Sequence, residues 1–142
     1  MSDTAIIIVS IIAMLMVFPL FWSSVIALIA FVGGWRQLSD AYPPEGSESA
    51  EWQHGCSASL GASIGLGHYR SSLHVGKDAH YLHLKRSFLF FAYHPKISIP
   101  LGDISFHGQG DGYLNRVRLD FERSNIPMRV SGKLANWIRE GR

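Results

Sequence analysis

The chain has 142 residues, which is room for about one domain. Its single cysteine, Cys56, excludes an intramolecular disulfide framework and fits a reducing compartment. The formal net charge of +2 hides an asymmetry, because residues 36–67 carry one base against four acids and residues 68–142 carry twelve bases against six acids. The basic second half therefore favours an anionic partner.

The first predicted element is a membrane-spanning helix, in residues 1–35. From Thr4 to Trp35 no residue is charged, and the run is apolar almost throughout. A bilayer core is crossed by about 20 such residues, so this longer run needs tilt or a kink. A cleaved signal peptide fits less well, since it has a basic start and a shorter apolar stretch. Pro19 leaves two alternatives open, a single kinked span, which we favour, and a re-entrant hairpin.

The residues that follow the apolar run predict the orientation of the chain. Arg36 comes directly after the run and no Lys or Arg precedes it, so the carboxyl side is predicted to be cytoplasmic. Trp35 and Arg36 are expected at the membrane interface. Residues 36–51 are predicted to form a juxtamembrane helix that ends at Pro43, followed by a polar, flexible linker.

Residues 52–142 predict an antiparallel β-domain. "ASLGASIGLGHYR" is interpreted as a first strand or two, and "YRSSLHV" and "AHYLHLKR" flank "GKD" as a hairpin. We expect Val75 opposite His80, which places four apolar residues on the core face, namely Leu73, Val75, Leu82 and Leu84. The other face, predicted to meet solvent, carries Arg70, His74, Tyr81, His83 and Lys85.

The remaining elements are two short strands, two longer strands and a helix. "KISIP" and "DISFH" are the short strands, and "YLNRVRLDF" and "IPMRV" alternate apolar residues with outward arginines. "SGKLANWIRE" predicts a helix capped by Ser131, with Leu134, Trp137 and Ile138 on one face. The predicted fold class is α+β, with about six or seven antiparallel strands closed by a C-terminal helix.

This order of strands and helix resembles the pleckstrin-homology superfold, and within it the GRAM-type domains. Two motifs resemble small bacterial single-pass membrane proteins of unassigned role: Trp35-Arg36-Gln37-Leu38 with Tyr42-Pro43, and "HPKISIPLGDI" from His94 to Ile104. The resemblance covers most of the chain. It implies a PH/GRAM-like β-domain and the bacterial inner membrane, with the C-terminal domain cytoplasmic, and it implies no reaction.

The run "KRSFLFFAYHPK", residues 85–96, does not alternate like a half-buried strand. Three interpretations of its aromatic residues are open. They pack inside the domain, they enter the lipid headgroup region, or they form a docking surface for another membrane protein. The candidate membrane- or partner-binding residues in this run are Lys85, Arg86, Phe88, Phe90, Phe91 and Lys96. A second basic set on the late strands consists of Arg116, Arg118 and Arg129.

Seven histidines raise the question of a metal site. The most plausible pair is His74 and His83, diagonal neighbours on the predicted hairpin, but no third ligand is evident. We therefore predict no metal site. We also predict no cofactor, no catalysis and no nucleic-acid partner. The predicted function is a membrane-anchored binding module for anionic lipid headgroups of the bilayer or a neighbouring membrane protein. The alternative is an accessory subunit of a larger inner-membrane complex, respiratory or photosynthetic.

Overall fold

The computed structural model describes residues 2–61, 68–87, 93–108 and 116–140. Over these ranges the chain forms three α-helices and seven β-strands, which confirms the predicted order of an apolar helix, an antiparallel sheet and a C-terminal helix. The helices are α1 (Asp3–Val32), α2 (Trp35–Ala41) and α3 (Gly132–Arg139). The strands are β1 (Glu51–Leu60), β2 (His68–Lys77), β3 (Tyr81–Arg86), β4 (Ile97–Pro100), β5 (Ile104–His107), β6 (Arg116–Phe121) and β7 (Ser124–Ser131).

Helix α1 is long and apolar enough to cross a membrane. It runs without a break through Pro19, so the turn that a re-entrant hairpin needs is absent from its 30 residues. From Ile26 onward one side of the helix is buried, with Ala30 in the core of the β-domain. The exposed part, residues 4–25, is about 33 Å long, which matches a hydrocarbon core of about 30 Å.

The sheet has the order β4-β3-β2-β1-β7-β6-β5, and all of its pairs are antiparallel. The predicted hairpin register was wrong, since Val75 lies opposite Leu84 and Lys77 lies opposite Leu82. The strand continues through Lys77 because the turn is formed later, where the Asp78 carboxylate accepts hydrogen bonds from the N–H groups that follow it. The partner strand is displaced by four residues, an even number, so the four apolar residues predicted on the core face are buried.

Helix α2 is part of the core of the β-domain. Trp35, Leu38 and Tyr42 are each 0% exposed and pack in one cluster with the inner face of the sheet. Gly34, with φ of +87°, makes the turn between α1 and α2. The polar segment after α2 is also attached, because the Glu45 N–H donates a hydrogen bond to Ser98 Oγ at 2.9 Å. The domain therefore begins directly after the membrane-type helix, with no free spacer between them.

Helix α3 covers the other part of the core, as its sequence predicts. The Ser131 side chain accepts a hydrogen bond from the Leu134 N–H, which caps the helix, and Leu134 and Ile138 are buried. Lys77 of β2 fixes the end of the helix, since its ammonium donates to the Trp137 carbonyl and lies 4.4 Å from the centre of the Trp137 ring.

Candidate functional site

A cluster of aromatic and cationic side chains surrounds the first residue of α2. The Trp35 indole N–H donates a hydrogen bond to the Pro95 carbonyl at 2.9 Å. The ring of Trp35 lies edge-on to the rings of Tyr69 and His94, at 5.4 and 5.3 Å between centroids. The Arg86 guanidinium lies 4.2 Å from the centre of the Tyr69 ring. Both ends of the aromatic run, at Arg86 and at His94-Pro95, are therefore held beside the exit of helix α1.

Burial shifts the pKa values of two residues in this cluster. It raises the pKa of the Tyr69 hydroxyl to about 12, although the neighbouring Arg86 acts in the opposite direction. Burial lowers the pKa of Arg86, and the contact with Tyr69 partly restores it. Tyr69 is therefore a neutral hydroxyl at physiological pH.

The candidate binding residues of the aromatic run lie in different environments. Phe88, Phe90 and Phe91 lie outside the described residues. Lys85 is exposed, and its ammonium lies 4.9 Å from the centre of the Trp52 ring. Arg86, expected at the surface, is only 8% exposed, because it lies opposite Leu73 and so points to the core face.

Two further candidates are placed differently from expectation. Lys96 donates hydrogen bonds to the Glu45 carbonyl and to Ser47 Oγ, so it fastens the segment after α2 to the start of β4. The Trp35 indole, expected among lipid headgroups, is buried in the domain, whereas Arg36 is exposed. Beyond helix α1, Tyr93 is the one large apolar side chain among the described residues that is exposed, at 60%.

The second basic set forms a row across the outer face of the sheet. Arg118 of β6 and Arg129 of β7 lie directly opposite each other, and both are exposed, as predicted. The register continues this row in both directions, and we call its five residues the arginine row: His68, Ser59, Arg129, Arg118 and His107. Arg116 is also exposed and lies opposite Ser131, where β6 begins.

The arginine row is only partly neutralised. Arg118 Nε donates to Asp120 Oδ1 at 2.8 Å, and His107 Nε2 lies 3.0 Å from the other oxygen of the same carboxylate. Within the described ranges, Arg129 and Arg116 form no ion pair. Like charges directly opposite each other destabilise an antiparallel pair. The row therefore keeps a positive charge that an anion would stabilise.

One residue of the arginine row, Arg129, lies on the strand that packs on Gly34, just after the membrane-type helix. Ile126 of β7 packs on Gly34, because a Cβ built on that glycine would meet Ile126 Cγ2 at 2.9 Å. Arg129 is three residues further along the same strand, which is a distance of about 10 Å, and this odd spacing places its side chain on the opposite, outer face of the sheet.

His74 and His83 are diagonal neighbours on the outer face, as predicted, since His74 lies opposite Lys85 and Gly76 lies opposite His83, but their rings have other partners. His83, predicted to meet solvent, is 0% exposed, because Trp52 packs beside it on the outer face of the sheet. Its Nε2 lies 2.7 Å from Asp78 Oδ2 and its Nδ1 lies 2.8 Å from Ser98 Oγ. These three residue types occur in hydrolases, but here they form an interior chain that joins the β2–β3 turn to β4. His74 instead faces His54 of β1.

Asp78 supplies an acid-sensitive contribution to stability. Burial raises the pKa of its carboxyl, but the hydrogen bonds from His83 and from the N–H groups of His80 and Tyr81 outweigh burial, so the pKa lies below its ordinary value. We expect Asp78→Asn to lower the free energy of unfolding by about 1–3 kcal/mol. A lowered pKa means that this contribution is complete above the unfolded value of about 3.9 and is lost as the pH falls below it.

Thermal unfolding of the full-length protein in detergent, from pH 7 to pH 3, checks this prediction. The difference between wild type and Asp78→Asn should shrink on acidification. Asp40→Asn, an exposed carboxyl on α2, is the matched control and should change little at any pH. A difference that stays constant over this range would contradict the assignment.

A cavity of about 420 Å³ lies between β1 and α3. It is lined by residues 53–57 on one side and by Ser131, Lys133, Leu134 and Trp137 on the other. Burial raises the pKa of the Cys56 thiol in this wall, so the thiol is protonated and weakly nucleophilic at neutral pH.

Comparison of the chain with protein-family models, with curated proteins and with solved structures gave no match. The class of protein is therefore defined by its architecture. Over the described residues, it is an apolar helix long enough to cross a membrane, joined without a spacer to a seven-stranded antiparallel domain with a C-terminal helix.

Proposed function

We propose that this protein is a single-pass protein of a bacterial inner membrane whose cytoplasmic domain has a pleckstrin-homology, GRAM-type fold and binds anionic lipid headgroups without catalysis. The strand order supports the fold, since β1–β4 and β5–β7 each pair as a meander, β1 lies between β2 and β7, and a helix follows β7. Arg36, directly after the apolar helix, supports the cytoplasmic orientation.

The observation that carries the lipid proposal is the position of Arg118 and Arg129. They lie opposite each other on an exposed face, about 10 Å along β7 from the residue that packs on Gly34. The screening length at physiological salt is about 8 Å, so salt weakens the field of an anionic leaflet at this face, and binding should be stronger at low salt. Because the domain packs on α1 itself, the row is held near the leaflet at a high effective concentration.

The expected size of the effect follows from the charges. A Lys or Arg near an anionic surface contributes about 1 kcal/mol. Removing both arginines should therefore cost about 2 kcal/mol, or about 30-fold in the dissociation constant. The exposed ring of Tyr93, beside the Pro95 carbonyl that Trp35 binds, adds an amphipathic side chain suited to the headgroup region.

The test uses delipidated, full-length protein in a neutral detergent, with lipid retention measured by native mass spectrometry. Phosphatidylglycerol should bind more tightly than phosphatidylcholine, and Arg118→Gln/Arg129→Gln should weaken the phosphatidylglycerol complex by about 30-fold. Lys133→Gln/Arg139→Gln removes the same charge from α3 and should bind as the wild type does. Equal affinity for the two lipids, or an unchanged double variant at the row, would refute the proposal.

A second candidate uses the same surface for a protein, as an accessory subunit of a respiratory or photosynthetic complex would. The exposed Tyr93 ring beside a basic face favours it, because aromatic residues and arginines are enriched at protein interfaces. Purification in mild detergent distinguishes the two candidates. A stoichiometric protein partner that is lost with Arg118→Gln/Arg129→Gln would assign the row to that partner instead of to lipid.

A further inference from the structure

Two histidines on neighbouring strands bring their ring nitrogens together at the protein surface. Gln53 of β1 lies opposite Val75 of β2, so the next residue, His54, stands beside His74. A register shift follows at Gly55, where φ is +66°, and this bulge turns the strand locally. The two Nδ1 atoms are 3.0 Å apart and share a hydrogen bond, and the ring planes meet at 72° with 4.7 Å between centroids.

The distance between these two nitrogens suits a shared metal ion. Metal–nitrogen bonds to imidazole are about 2.0–2.1 Å long. At the present separation of the nitrogens, an ion bound to both would have an N–metal–N angle of about 91–97°, close to the cis angle of a square-planar or octahedral ion. A tetrahedral ion would need the nitrogens about 3.3 Å apart. Nitrogen ligands at square-planar angles are typical of Cu²⁺ and Ni²⁺.

We propose that His54 and His74 form a two-histidine binding site for a divalent transition metal, with Cu²⁺ preferred over Ni²⁺ and Zn²⁺. In the described part of the chain no group of three His, Cys, Asp or Glu side chains converges, so the two imidazoles are the protein ligands. Water completes the coordination, and the cavity that His54 lines lies beside the site. This inference is independent of the lipid proposal.

A cation on the neighbouring strand lies near the histidine pair. Lys85 lies opposite His74 in the β2–β3 register, and its ammonium is held against the Trp52 ring. Metal binding should weaken on acidification, because protons compete for the same nitrogens.

The experiment titrates Cu²⁺ into metal-free, untagged full-length protein in detergent and measures affinity by calorimetry. One equivalent should bind. His54→Gln and His74→Gln should each weaken Cu²⁺ binding by more than about 100-fold. Loss of a residue that only supports a metal ligand costs about 10- to 100-fold, and loss of a ligand itself should cost more. His80→Gln removes an exposed imidazole from the β2–β3 turn and is the matched control, expected to bind as the wild type does.

A measurement on the wild type does not depend on the folding of variants. Electron paramagnetic resonance of the Cu²⁺ complex should show coupling to two imidazole nitrogens, and Cu²⁺ should broaden the NMR signals of His54 and His74 before those of the other five histidines. Absence of stoichiometric binding would overturn the site. Wild-type affinity in His54→Gln or His74→Gln, or first broadening at another histidine, would do the same.

Discussion

Replacing Trp35 by alanine should destabilise the β-domain by about 3–5 kcal/mol, the usual cost of truncating a buried tryptophan. The indole is fully buried and touches Tyr69, His94 and the Pro95 carbonyl at once. Its removal leaves a cavity where the first turn of α2 meets the segment after the aromatic run. A small domain has a free energy of unfolding of about 5–15 kcal/mol, so the loss should lower the unfolding temperature by more than about 10 °C.

Two matched variants separate the contributions to this effect. Trp35→Phe keeps an aromatic ring but removes the hydrogen bond to Pro95, and should cost about 1 kcal/mol from that bond in addition to the smaller ring. Arg36→Ala, at the next and exposed position, should be close to neutral. Near-UV circular dichroism of the full-length protein in detergent gives the unfolding temperatures. An unchanged Trp35→Ala would mean that the ring points to lipid, as the sequence alone suggests.

The sequence predicts an element well where the spacing of its apolar residues matches the side of the element that is buried. The uncharged run predicts α1, and the helical spacing of Leu134 and Ile138 predicts α3. The alternation of apolar and polar residues predicts that Arg118 and Arg129 point outward. The core face of the hairpin is also correct although its register is not, because a displacement by an even number of residues keeps each side chain on its face.

The parts that the sequence does not predict depend on contacts between distant residues. Trp35 follows an apolar run, which is typical of an interfacial aromatic, and its burial depends on Pro95, 60 residues away. His83 falls on the outward face of its strand, and its burial depends on Trp52 from β1. His54 pairs with His74 through the bulge at Gly55, and the only local signal of that bulge is a glycine in a strand.

Gly34→Ala should destabilise the domain by about 2–5 kcal/mol. The residue has φ of +87°, which costs an L-residue about 1–2 kcal/mol. The new methyl group would also meet Ile126 Cγ2 at 2.9 Å, and overpacking of this kind costs about 1–3 kcal/mol. Thermal unfolding of the full-length protein measures the sum, and Gly102→Ala, where no atom lies within 4 Å of the new methyl, should be nearly neutral.

A double-mutant cycle with Ile126→Ala separates strain from crowding. Without Ile126 Cγ2, Gly34→Ala should cost only the backbone strain, so the two changes should couple favourably by about 1–3 kcal/mol. This coupling also bears on the lipid proposal, because the contact of Gly34 with Ile126 fixes the arginine row relative to helix α1. If Gly34→Ala were neutral in both backgrounds, the junction would not be a fixed contact. The proposed approach of Arg118 and Arg129 to the leaflet would then have no structural cause.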